Sequence, residues 1–208
     1  MDMDAESIFS TNWRMFYCLA PFQQDPRGER YGLEMEKEIK DAGFEISHET
    51  AFAYLNHYAG AGVLRKVKRG RQAFFSLVPE NALPLMSLLE QDRTNLFLRK
   101  SKTAMLISEL SALLAHCGFA LIFGSAARGH ERKSSDIDLL VVDGVPDPDA
   151  IERKEAAYGM KISVHQVSGK ELEARWHREP IYNGIWRDRV VIRNFHRFWE
   201  FALARGKP

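Results

Sequence analysis

Cysteine is scarce in this chain of 208 residues, where only Cys18 and Cys117 occur. Two isolated thiols in apolar surroundings, without ligand spacing, exclude a disulfide framework and point to buried free thiols in a reducing cytoplasm. The acidic N-terminus, and the interruption of Ile8–Pro21 by Asn12 and Arg14, predict no secretory leader. An apolar run fit to span a membrane is also missing. Ala104–Phe123 is long enough, but Glu109 and His116 fall inside it and Gly118 divides it. A helix over about Ser101–Cys117 followed by a strand accounts for that run, and no membrane partner is expected. Nor is there a large excess of either charge: 29 Lys and Arg face 28 Asp and Glu, a formal net charge of +1. From Met1 to Asn95 there are 11 basic against 14 acidic residues, and from Leu96 to Pro208 there are 18 against 14. Neither half is the strongly basic body of a dedicated nucleic-acid binder, so any such contact must come from a local patch. Internal repeats and low-complexity tracts are absent. What remains, 45% hydrophobic and 27% charged, is ordinary for a soluble globular protein of one large or two small domains.

The densest chemical signal lies in Leu121–Val142. Ala120-Leu121-Ile122-Phe123 reads as a short buried strand stopped by Gly124. Ser125, Ala126, Ala127 and Arg128 then open a helical turn whose free N–H groups favour an anion. After a polar loop, Asp136 and Asp138 begin a second strand, Asp-Ile-Asp-Leu-Leu-Val-Val. Side chains alternate along a strand, so the two carboxylates share one face while Ile137 and Leu139 point into the core. Paired carboxylates are stable together when a cation sits between them. Their hard oxygens suit Mg²⁺, which takes one or two carboxylates plus substrate phosphates. A phosphate cradle facing a metal-binding pair is the equipment of phosphoryl or nucleotidyl transfer.

The N-terminal half is patterned differently. Ile8–Leu19 reads as an amphipathic helix, Pro21 to Gly28 as a loop, and Leu33–Ala42 as a helix ended by Gly43. Ser47 N-caps a third helix running to about Ala59, with Gly62 beyond it. Leu64–Lys68 and Gln72–Val78 read as strands around an Arg69-Gly70-Arg71 turn. Arg65, Lys66, Lys68, Arg69 and Arg71 crowd that hairpin and can neutralise several phosphates of duplex DNA. The preceding helix turns His48, Glu49, Phe52, Ala53, Asn56 and His57 outward, without a Lys or Arg among them. Asn56 is suited to adenine, whereas Phe52 suits a protein contact, so DNA and protein both stay open as partners.

The segment Gly124-Ser125, Ala127-Arg128-Gly129 and Ser135-Asp136-Ile137-Asp138 resembles, in order and spacing, the signature of the nucleotidyltransferase superfamily that includes DNA polymerase beta, in its minimal form. The N-terminal half resembles the winged helix-turn-helix of prokaryotic regulators, through Thr50, Ala51, Leu55, Tyr58, Gly62, Val63 and Leu64. Archaeal and bacterial proteins that join these two parts look like this chain over nearly its full length. Gly159-Met160-Lys161-Ile162 and Ser168-Gly169-Lys170-Glu171-Leu172 share in that likeness, although Ser168 and Glu171 are also spaced as a capping box. The resemblance implies an α/β (α+β) chain: a winged helix over 1–80, a linker helix over 81–100, and a mixed sheet with flanking helices over 101–208. It implies an NTP substrate, ATP as the expected one, with Mg²⁺ on Asp136 and Asp138 and the nucleotide against Gly124, Ser125 and Arg128.

Full members of that superfamily carry a third carboxylate on the next long strand, here Lys161–Val167. Its site-facing positions should be Ser163 and His165, or one step away, and none is acidic. Asp143, Asp147 and Asp149 belong to a turn. His165 is therefore the candidate base, since a neutral imidazole accepts a proton near pH 7; the alternative is a half-buried strand histidine. Arg128 either contacts phosphates or pairs with Glu131. The aromatic C-terminal stretch, with Trp186, Phe195, Phe198, Trp199 and Phe201, packs against the sheet or a second subunit, which leaves a homodimer open. Two functions follow. One is transfer of a nucleoside monophosphate to a protein or nucleic-acid acceptor, in a toxin–antitoxin setting with a HEPN-type toxin as partner, as the resemblance implies. The other is a DNA-binding regulator whose second domain only senses a nucleotide.

Overall fold

The computed structural model describes residues 13–129 and 136–208. These form two compact units, one drawn from the chain up to Leu89 together with Ala202–Lys207, the other from Glu90–Phe201.

In the first unit, α1 (Trp13–Tyr17) gives way to a 3-10 turn, Ala20–Gln23, at Pro21, which has no N–H to continue a helix. The part of the expected first helix before residue 13 lies outside the described residues. A two-residue strand follows, β1 (Arg30–Tyr31), too short to leave a periodic trace in the sequence. Helices α2 (Met35–Asp41) and α3 (His48–Gly60) come next. The Ser47 hydroxyl accepts the Thr50 N–H at 3.3 Å, and α3 buries Ala51, Leu55 and Tyr58, the stripe its sequence predicts. Strands β2 (Leu64–Arg69) and β3 (Gln72–Leu77) form the hairpin, with Gly70 at φ 61° in its turn. β1 pairs with β3, giving an antiparallel sheet in the order β1-β3-β2. Helix α4 (Pro79–Leu98) starts in this unit, where Leu85 and Leu89 are buried.

The second unit is built on a mixed sheet in the order β6-β5-β4-β7. Its strands are β4 (Phe119–Phe123), β5 (Ile137–Val142), β6 (Ile162–Val167) and β7 (Val190–Arg193). β4 runs antiparallel to both neighbours, whereas β5 and β6 are parallel. A parallel pair needs a crossover, supplied by the helix Pro148–Tyr158. Asp147 caps that helix by accepting the Asp149 N–H at 3.0 Å, and Gly159 ends it in the left-handed conformation. β4 lies inside the sheet and all five of its residues are buried, which is why it reads as a continuous apolar run. β6 lies at the edge and exposes His165 and Gln166. The helix expected over Ser101–Cys117 is shorter, Ala104–Leu113 (α5). It covers one face of the sheet, where Leu106, Ile107 and Leu110 pack with Ile122, Ile137, Leu139, Val141 and Ile192.

Aromatic side chains gather elsewhere in this unit. Phe119 meets Phe198 edge to face at 5.6 Å, and Trp176, Trp186 and Trp199 complete the layer. The C-terminal aromatic stretch thus packs inward. Within it Arg189 is fully buried, its guanidinium 3.8 Å from the Trp186 ring centroid and 3.5 Å from the carboxylate of Glu90, itself fully buried. Burial pulls the Arg189 pKa down to about 10, against the opposing pull of Glu90. Both cysteines are buried free thiols. No helix among the described residues is long and apolar enough to cross a membrane.

Candidate nucleotidyl-transfer site

Asp138 enters β5 as its second residue and interrupts an otherwise buried strand. In the ladder it lies opposite Phe123 of β4 on one side and Ser163 of β6 on the other. Asp136, exposed, precedes the strand by one residue, so alternation puts its carboxylate on the face of Asp138. The chain then passes from Phe123 into a single helical turn, α6 (Gly124–Ala127). Gly124 has φ 72°, and a Cβ added there would lie 2.5 Å from Asp138 Oδ2. Both the conformation and the approach therefore demand glycine. The carboxylate rests against the backbone of the turn. Half-buried Ser125 follows, and Arg128 closes the turn by donating its N–H to the Gly124 carbonyl at 3.3 Å.

Two carboxylates on one strand face, beside a turn stripped of side-chain bulk, fit a hard divalent cation that completes its shell with substrate oxygens. No group of three or more His, Cys, Asp or Glu suited to a metal occurs among the described residues. The pairing with β6 explains this. Ser163 is the residue level with Asp138, half-buried and not acidic. His165 lies one pleat further along the same face, level with Leu140, exposed, its ring centroid 5.4 Å from that of Phe123. Asp143 is turned to another task, accepting the Gly169 N–H at 2.7 Å beside the capping box of Ser168 and Glu171.

Residues 106–196 match the family model of the nucleotidyltransferase domain. The match spans β4 to β7, and with them the Gly124 turn and both carboxylates. Comparison with curated proteins and with solved structures found no match.

Around the matched segment the charged groups are arranged in ways the sequence did not announce. Arg128 donates from Nη1 to Asp188, at the end of the helix Ile181–Asp188; Glu131, its other expected partner, lies with Ser135 outside the described residues. Arg187 donates to the same carboxylate, from Nε to Oδ1 at 2.9 Å and from Nη2 to Oδ2 at 3.3 Å. These bonds, that of Arg187 first, hold the Asp188 carboxyl below the usual range. Asp188, Glu90 and Arg189 escaped the sequence reading. The alternation of Trp186-Arg187-Asp188-Arg189 was the available signal, but it names no partners.

The hairpin of the first unit also differs from a uniformly free basic wing. Lys66 donates to the Asn56 side-chain oxygen and lies 5.2 Å from the Phe52 ring centroid. The Asn56 amide nitrogen donates to the Phe52 carbonyl at 2.7 Å, so both ends of this side chain are engaged within the fold. Phe52 is half-buried and meets Phe75 edge to face at 5.9 Å. Arg69 forms a fork with Glu29, at 2.7 and 2.9 Å. Arg65, Lys68 and Arg71 are exposed and form no ion pair among the described residues.

Proposed function

We propose that the nucleotidyltransferase domain transfers a nucleoside monophosphate from an NTP, ATP in the first instance, to a protein or nucleic-acid acceptor. The approach of Asp138 to Gly124 carries this reading, because it sets a carboxylate pair directly against the turn on which a triphosphate would lie. Asp136 and Asp138 would hold Mg²⁺. When bound, such an ion neutralises charge on the phosphoryl group in flight. Gly124 keeps the turn free of side-chain bulk, and Arg128 offers guanidinium donors to phosphate oxygens. His165 is the available imidazole on the acceptor side and would take the acceptor's proton on a ring nitrogen. Positioning and charge stabilisation supply most of the rate in phosphoryl chemistry, so transfer is expected to be slow but real without a third acid.

The first unit is proposed as a winged helix over 1–80, joined by a helical linker over 81–100 to the catalytic domain over 101–208. Its succession of helix, short strand, two helices and hairpin supports this. Duplex DNA would meet Arg65, Lys68 and Arg71, and Arg69 in exchange for Glu29, with Lys66 and Asn56 shaping the hairpin behind them. A HEPN-type toxin partner rests on the family resemblance alone, and a cytoplasmic setting on the two buried free thiols. The serine level with Asp138 favours a second reading, a regulator that binds the nucleotide without transferring it.

One experiment separates the two: incubation with labelled ATP, Mg²⁺ and the product of the adjacent gene. Transfer predicts labelled product, lost on Asp136→Asn with Asp138→Asn by on the order of 10³-fold or more. It also predicts a gain on Ser163→Asp and loss of the acid limb of the pH–rate profile on His165→Ala. ATP binding without product, in wild type and Ser163→Asp alike, would overturn transfer in favour of sensing.

A further inference from the structure

Two guanidinium groups converge on Asp188, and one carboxylate balances only one of them. The Asp188 side chain is 8% exposed, whereas those of Arg128 and Arg187 are 44% and 72% exposed. A guanidinium carries five N–H donors. Asp188 takes one from Arg128 and two from Arg187, so most donors of each are left for something else. The result is a net-positive fork whose inner side is fixed by a nearly buried anion and whose outer side faces solvent. A plain surface ion pair has no use for the second cation, whereas an anionic ligand does.

Its place in the sheet says which ligand. Arg128 is the residue that closes the Gly124–Ala127 turn. Asp188 stands two residues before Val190, which pairs with Ile122 of β4 beside the end of that strand. On the opposite side of β4, Phe123 pairs with Asp138. Asp188, which gathers the cations, and the carboxylate pair thus stand on either side of one turn, on chain segments two strand spacings or about 10 Å apart at the backbone, a gap that an extended polyphosphate crosses. We propose that Arg187, gathered with Arg128 by Asp188, binds the phosphate tail of the nucleoside triphosphate, Asp188 acting as the positioning residue. This rests on the proposed nucleotide chemistry for the identity of the ligand, and on the guanidinium pair alone for its binding of phosphate oxyanions.

Calorimetry on the full chain tests it with three probes, Mg-ATP, AMP and inorganic tripolyphosphate. Arg187→Gln should weaken ATP and tripolyphosphate about tenfold, the loss of one charge-assisted contact, and leave AMP unchanged. Arg187→Lys should recover part of the loss, because it returns the charge without the fork. Arg153→Gln removes an exposed cation from the crossover helix and should change nothing. Equal ATP affinity in Arg187→Gln and Arg153→Gln overturns the proposal. If that equality comes with ATP binding that still requires Asp136 and Asp138, the transferase reading stands without it. Tripolyphosphate binding that depends on Arg187, in a protein that yields no labelled product, keeps the phosphate site and removes the transferase. A wild type that binds neither ATP nor tripolyphosphate overturns both.

Discussion

Each unit contains an arginine that lies over an aromatic ring and pairs with a glutamate. In the N-terminal unit Arg69 is 4.8 Å from the Phe74 ring centroid and pairs with Glu29, both side chains exposed. In the C-terminal unit Arg189 lies over Trp186 and pairs with Glu90, both fully buried. The residue types are the same, and the environment reverses their meaning. An exposed fork exchanges its partner for water at little cost, so Arg69 can turn to another anion. A buried pair has no water to exchange with, and Arg189 depends for its place inside on Glu90, which Arg93 also approaches at 3.4 Å. Burial, not residue type, separates a charge available for binding from one that holds the fold together.

The largest test of that contrast is to neutralise each glutamate. Glu90→Gln leaves the buried Arg189 charge without its counter-ion and should cost about 3–5 kcal/mol of stability, whereas Glu29→Gln should cost about 1 kcal/mol or less. Replacing Glu90 by Leu and Arg189 by Met together should restore much of the loss. Denaturant unfolding measures both variants, and similar losses would break the comparison.

Gly124→Ala follows in size. It forces a side chain into the left-handed region and against Asp138, at about 1–3 kcal/mol, and should remove Mg²⁺-dependent ATP binding. Retained binding, seen by calorimetry, would show that the turn yields without disturbing the carboxylates.

The hairpin sharpens the comparison within one strand. Replacing Arg65, Lys68 and Arg71 with Ala should flatten the salt dependence of duplex DNA binding by roughly three units of slope. Lys66→Ala should instead lower the melting temperature, because it unties the helix His48–Gly60 from the hairpin. Equal effects of Lys66 and Lys68 on the slope would mean that the internal bond does not withhold Lys66 from phosphates. If the wild type does not bind duplex DNA at low salt, the hairpin is a protein-contact element.

The smallest effect concerns Asp188, whose carboxyl is held low by Arg187 and Arg128. A lowered folded value means that its stabilising effect is present above the usual carboxylate range and fades as pH falls through that lowered value. The melting temperatures of wild type and Asp188→Asn should therefore differ at neutral pH and converge in acid. A constant difference across the whole range would assign the effect to packing.

Much of the candidate site was legible because it is local. The alternation that puts Asp136 and Asp138 on one face, and the glycine that stops β4, are properties of a few consecutive residues. The capping box of Ser168 and Glu171 was likewise written within four positions, whereas Asp147 and Asp149, read as turn residues, cap and open the helix Pro148–Tyr158. The third-acid position was not. The sequence offered Ser163 and His165 together, and only the parallel register of β6 on β5 made Ser163 the neighbour of Asp138. A slip of one residue reverses every face, and no local pattern specifies where a parallel strand lands after its crossover.

By itself the sequence determined which residues could do chemistry: a carboxylate pair, a turn without side-chain bulk, a basic hairpin, a strand without a third acid. Periodicity and caps act over a turn or a pleat, so they survive in the order of residues. Tertiary structure alone decided which charges are engaged. Arg128 found Asp188 sixty positions away, Lys66 turned to Asn56, and Arg189 was buried against Glu90. Those choices depend on packing between segments distant in the chain, where the cost of removing a charge from water sets its partner, and that cost exists only once the chain has folded.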